Sequence, residues 1–157
     1  MVRVLLVAVL AAATCAPALA QVPAKPLATA TTNWDGVSID LMSVERKGSV
    51  LTVKWAVRNQ GSKQATVQFG LTGDNSNTYV VDEESGTKYY ALTDKEKHVV
   101  ASEHVYAGGP YGISDYVEAG ATARYWAKYP APPPQVKSLT VFFSNTEPFE
   151  SVPIVDR

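Results

Sequence analysis

Cysteine is nearly missing from this 157-residue chain, which has one thiol, Cys15, and no second to pair with it. A disulfide-stapled secreted module is thereby excluded, as is a cysteine-rich zinc site, which needs several thiolates at short spacing. Histidine is almost as scarce, with His98 and His104 alone. Charge of one sign is lacking too: 14 Lys and Arg stand against 15 Asp and Glu, for a formal net charge of -1. That balance is not the basic excess of a nucleic-acid binder, and no basic amphipathic helix is available to lie on a membrane surface. A nucleic-acid partner is not expected. Beyond residue 13 no apolar run approaches the ~20 residues that a membrane-crossing helix requires, so the mature chain is expected to have no transmembrane segment and to be soluble. No ten-residue stretch carries the i, i+3, i+4, i+7 apolar stripe of a helix, and no internal repeat is visible.

What is present begins with an export signal over residues 1–20. Met1-Val2-Arg3 is a short basic start, Val4 to Ala13 is apolar, and Ala18-Leu19-Ala20 before Gln21 is an A-x-A cleavage pattern. Removing Arg3 lowers Lys plus Arg from 14 to 13 against the 15 acids, giving -2 for the mature chain. Cys15 offers a competing fate, lipidation, but Ala12-Ala13-Thr14 lacks the Leu and the Gly or Ala of a bacterial lipobox. Cleavage after Ala20 is expected instead, leaving no cysteine and placing the protein in the periplasm or outside the cell. A domain without thiols is indifferent to the redox state of its compartment, which favours a bacterial envelope over an animal secreted module. Residues 21–33, with Pro23, Pro26 and a run of Ala and Thr, contain almost nothing large and apolar to bury and read as a flexible linker.

From residue 34 to 157 the dominant period is two, as in strands with one face on a core. Val37, Ile39 and Leu41 alternate with polar neighbours. After a turn at Arg46-Lys47-Gly48-Ser49, Leu51, Val53, Trp55 and Val57 face one way while Thr52, Lys54, Ala56 and Arg58 face the other. Ala65 to Phe69, Tyr79 to Asp82, Lys88 to Leu92, His98 to Ser102, Ala121 to Tyr129, Leu139 to Phe143 and Val152 to Val155 continue the pattern, punctuated by Asn, Gly and Pro turns. Pro130, Pro132, Pro133 and Pro134 stop one strand outright, since proline cannot supply the ladder N–H. Glu103 to Gly112 reads as a long surface loop. The fold class is all-β: an antiparallel immunoglobulin-like β-sandwich of about seven or eight short strands, with a small barrel as the alternative. Trp55 is the expected core anchor. About 120 residues suffice to bury close to two thirds of their unfolded surface in one core.

Two segments carry a family resemblance over Val37 to Ile154. Tyr79-Val80-Val81-Asp82, then Gly86, then Lys88 to Asp94 resembles the hairpin of exported bacterial immunoglobulin-like domains of unknown function. Tyr129-Pro130-Ala131-Pro132-Pro133, the strand to Phe143, and Pro148 to Ile154 resemble the close of the same group. The resemblance implies a sandwich in the cell envelope, sometimes placed ahead of an outer-membrane-protein-A-like peptidoglycan-binding domain. No such domain follows Ile154 in this chain, so anchoring is expected to come from elsewhere. The group defines no catalytic or binding residues to carry over.

The residues nominate few sites. His98, Glu103 and His104, with Asp94 and Glu96 upstream, are the densest metal-ligating set, but on one strand the two histidines would stand roughly 20 Å apart. No metal site is expected. Asp82 and Asp94 bracket Tyr89-Tyr90 and could act as paired carboxylates, although aspartate at a strand end ordinarily caps a turn. There is no G-x-S-x-G elbow and no phosphate loop; Ser102 beside His104 is proximity in sequence only, and no cofactor is expected. The most suggestive feature is aromatic: Tyr106 and Tyr111 in the glycine-rich loop and Tyr116 after it offer rigid amphipathic rings to a ligand. Alternation sends half of Tyr125, Trp126 and Tyr129 inward. The expected function is a non-enzymatic envelope module, monomer or dimer, that binds or supports an envelope protein or glycan. The alternative is a small cell-wall glycan hydrolase using Asp82, Asp94 or Glu103.

Overall fold

Alternating apolar residues need a partner face, and the chain supplies it by folding strand against strand. A computed structural model describes residues 25–74, 76–102 and 111–157. Among these residues eleven strands run in order: β1 Ala28–Thr31, β2 Val37–Lys47, β3 Val50–Asn59, β4 Ala65–Gly70, β5 Tyr79–Asp82, β6 Thr87–Tyr89, β7 Gly112–Val117, β8 Thr122–Pro130, β9 Ser138–Phe142, β10 Phe149–Pro153 and β11 Val155–Asp156. One sheet has the order β1-β2-β3-β8, a second β10-β9-β5-β6, and β4 pairs with β7. All pairings are antiparallel except β11, which lies parallel to β2. The result is an all-β antiparallel sandwich, as the period of two requires. Among the described residues no helix is long and apolar enough to cross a membrane.

The core fills the space between the sheets. Trp55 on β3 is 1% exposed. Its ring lies 5.3 Å from Phe69, 5.1 Å from Phe143 and 5.9 Å from Tyr125. Tilted and edge-on contacts of this kind suit the quadrupoles of aromatic rings. Trp55 is therefore the anchor that its mid-strand position indicates.

The expected strand count and several boundaries need correction. Residues 28–31, inside the expected flexible linker, form β1, because pairing with β2 is made by backbone and needs no large side chain. Thr29 adds a hydroxyl donated to Asp40 at 2.5 Å. β7 falls partly in the expected loop. Its inward positions Ile113 and Val117 are interrupted by Asp115, whose carboxylate accepts the Tyr125 hydroxyl at 2.9 Å, so an apolar count misses it. The expected strand at His98 to Ser102 is an irregular run bonded to the edge of β8, through Val100 to Lys128 and Ser102 to Trp126. That run covers an edge that would otherwise be open.

β2 runs on through Arg46, which the turn expectation had placed outside it. A bulge at Met42 resets the alternation, so Val44 and Arg46 point inward with Ile39 and Leu41. Arg46 is 4% exposed. Its Nε donates to Asp156 at 2.6 Å, and its terminal nitrogens donate to Asp156 and to the carbonyls of Pro132, Pro133, Pro134 and Val136 at 2.8–3.2 Å. A proline run carries acceptors without donors, and guanidinium is a side chain with donors only. Hydrogen bonding to Arg46 first, and then to Lys137, holds the Asp156 carboxyl down to about 2.

Burial pushes the Tyr125 and Tyr129 hydroxyls well above 10, with Asp115 adding to the shift at Tyr125. Because both groups stay protonated in the fold, their contribution is fully present below about pH 10 and is lost as pH rises further, when the unfolded chain alone releases those protons. Two such groups give a slope of about 2.7 kcal/mol per pH unit above pH 10. Urea midpoints measured at pH 7, 9 and 11 should stay level across the first interval and fall across the second.

Candidate binding site

The outer face of the β4–β7 ladder is a trough. Facing residues pair as Gly70 with Gly112, Gln68 with Ser114, and Thr66 with Tyr116. The first pair has no side chains, so the floor there is bare backbone. Gly112 is dictated by that approach, since a Cβ on it would lie 2.2 Å from the Phe69 carbonyl oxygen. Glycine inside a strand marks a place where something comes close to the backbone. Here it leaves an open cleft of about 280 Å³ lined by Gln68, Phe69, Gly70, Thr72, Tyr111 and Ser114 among others.

Tyr111 forms the wall at one end. It is 55% exposed, and its carbonyl accepts the N–H groups of Leu71 and Thr72 at 3.0 and 3.2 Å, so a largely free ring stands on a fixed backbone. Tyr116, 43% exposed, stands on β7 opposite Thr66 and does not line the cleft. Of the three tyrosines expected to meet a ligand, Tyr111, just before β7, lines this cleft, and Tyr116 stands on the ladder beyond it; Tyr106 lies outside the described residues.

The carboxylates suggested for catalysis are engaged elsewhere. Asp82 is buried at the end of β5, where it accepts the Glu84 N–H at 3.1 Å and the Ser85 hydroxyl at 2.6 Å, capping the turn to β6. It borders a cleft of about 360 Å³ with Glu83, Glu84 and Lys137, and Asp94 does not line that cleft. Glu83 there accepts the Thr140 hydroxyl. Asp94 caps a separate turn, accepting the N–H groups of Glu96 and His98, both at 2.9 Å. These bonds hold its carboxyl below the usual range. Glu103 lies outside the described residues.

That second turn brings Asp94, Glu96 and His98 to within 4.8 Å of one another, a grouping that extended strand geometry had not offered. All three are exposed, and the Asp94 bonds to the turn account for their closeness. His104 lies outside the described residues, as do Cys15, the expected signal segment and the first part of the expected linker.

Sequence reasoning missed a further cluster. Tyr79 stacks on Phe142 across the β5–β9 pair with centroids 4.7 Å apart, Tyr90 lies 5.9 Å from Tyr79, and Lys88 sits over the Tyr79 ring. Only the strand register, which sets Tyr79 opposite Phe142, could have revealed it. Compared with known protein families, with curated proteins and with solved structures, the chain finds no match in any of the three.

Proposed function

We propose that this chain is an exported, non-enzymatic module of the cell envelope, which holds a glycan or protein component in the trough of the β4–β7 ladder. The observation that carries this reading is the trough itself, in which an anchored, exposed Tyr111 stands over a side-chain-free floor flanked by Gln68 and Ser114. Such a surface takes a flat, partly apolar group against the ring and offers amide and hydroxyl partners to its polar edge. Asp82 and Asp94, each engaged by its own turn, support binding over hydrolysis, because acid and base catalysis needs two carboxylates at a fixed separation across one bond. An immunoglobulin-like strand arrangement and a periplasmic or secreted location belong to the same reading. They rest on the hairpin and closing motifs and on the signal pattern.

Peptidoglycan sacculi test the proposal. The full chain is expected to sediment with them and release no soluble reducing sugar, and Tyr111→Ala is expected to weaken sedimentation about tenfold, the scale of a lost aromatic anchor. Release of fragments that Asp82→Asn, Asp94→Asn or Glu103→Gln abolishes would establish the hydrolase instead.

A further inference from the structure

The alternation that buries Tyr125, Ala127 and Tyr129 sends Arg124, Trp126 and Lys128 to the outer face of β8. The register with β3 sets Lys54 beside Trp126 and Arg58 beside Thr122 on that face. Four of the 14 cations of a chain of net charge -1 thus share one face. Among the described residues the strands β2, β3 and β8 oppose them on that face only with Asp40 and Glu45. Both acids are taken: Asp40 pairs with Arg58 at 2.7 Å, and Glu45 is shared by Lys54 at 3.5 Å and Arg157 at 3.1 Å. Arg124 and Lys128 have no carboxylate partner among the described residues. Between them Trp126 is 37% exposed, with the Lys128 ammonium 5.8 Å from its ring centroid.

We infer that this face binds an acidic glycan strand, with Trp126 against the apolar face of one sugar ring and Arg124 and Lys128 pairing with carboxylates of the sugars on either side. Four residues along a strand separate the backbones of the two cations by about 13 Å, with Trp126 midway, so a small anion cannot span both positions. A polymer with a charge on each side of an apolar ring face can. The planar fork of Arg124 suits a carboxylate, Lys54 stands one strand away, and Thr52 and Thr122 supply hydroxyls. Single-stranded nucleic acid stacks successive bases on several rings, and this face presents one. An anionic bilayer calls for several large apolar side chains to insert, and Trp126 stands alone among the cations. The site lies on a different sheet from the Tyr111 trough and does not depend on it.

Polygalacturonate is the probe, titrated into the full chain by calorimetry at low salt. Binding is expected, about tenfold weaker in Arg124→Gln/Lys128→Gln, the scale of two exposed charge pairs, and with a shallower salt dependence. Trp126→Ala should weaken binding while leaving the salt dependence unchanged. Tyr111→Ala should bind polygalacturonate as the unaltered chain does, which separates this site from the trough. The exposed substitutions should leave the melting temperature in place; should the double variant melt early, Arg124→Lys/Lys128→Arg, which keeps both charges, is expected to retain binding. The inference is overturned if polygalacturonate does not bind, or if binding survives both the charge and the Trp126 substitutions. Tighter binding of oligodeoxythymidine or of phosphatidylglycerol vesicles than of polygalacturonate overturns it equally.

Discussion

Arg46→Met is expected to destabilise the domain by about 3–5 kcal/mol, enough to consume much of the 5–15 kcal/mol by which a typical domain is stable. The loss does not come mainly from the ion pair, since Asp156 is 54% exposed and regains water once its partner is gone. It comes mainly from the buried carbonyls of Pro132 and Val136, which lose donors that no neighbouring proline N–H can replace, whereas the Pro133 carbonyl keeps the Val136 N–H. A buried acceptor left unmade costs about 1–3 kcal/mol. Arg46→Lys should recover less than half of the loss, because three donors on a point charge cannot follow a fork that reaches a carboxylate and four carbonyls. Urea denaturation checks both values. A fall under about 1 kcal/mol for Arg46→Met would mean that water replaces the guanidinium in the proline turn.

Trp55→Ala is the second large effect, about 3–5 kcal/mol, from a cavity bordered by Phe69, Tyr125 and Phe143. The indole Nε1 is buried without a hydrogen-bond partner among the described residues. Trp55→Phe removes that orphaned donor together with part of the ring, so the gain from one offsets some of the loss from the other. A destabilisation of about 1–2 kcal/mol is expected for the phenylalanine variant. Should the alanine variant fail to fold, the phenylalanine variant still yields the comparison from its thermal midpoint. A loss well above about 2 kcal/mol for the phenylalanine variant would show that the indole nitrogen is satisfied in solution.

Much of this fold was legible because strands write their burial into every second residue. Leu51, Val53, Trp55 and Val57 declared the inner face of β3, and Leu139, Val141 and Phe143 did the same at β9 and just past its end. The strands that escaped notice are those whose pairing does not depend on apolar side chains. β1 is Ala and Thr, and β7 carries Asp115 on its inward side as the acceptor for Tyr125. Of the candidate residues, Tyr111 and Tyr116 were visible as exposed aromatics beside glycines. That Gly70 faces Gly112 was not, because a one-residue change of register would have set another pair there.

By itself, then, the sequence determined the all-β class, the inner faces of the long strands and the turn-capping role of Asp82, because these follow from neighbours within a few residues. Tertiary structure alone decided the matching of Arg46 to a proline run 86 to 88 residues away, and the parallel docking of β11 beside it. It also decided the gathering of Arg124, Trp126, Lys128 and Lys54 on one face of a nearly neutral chain. The physical reason is that alternation fixes which side a residue takes, whereas pairing and register, set by the energy of the whole sheet, fix what stands next to it.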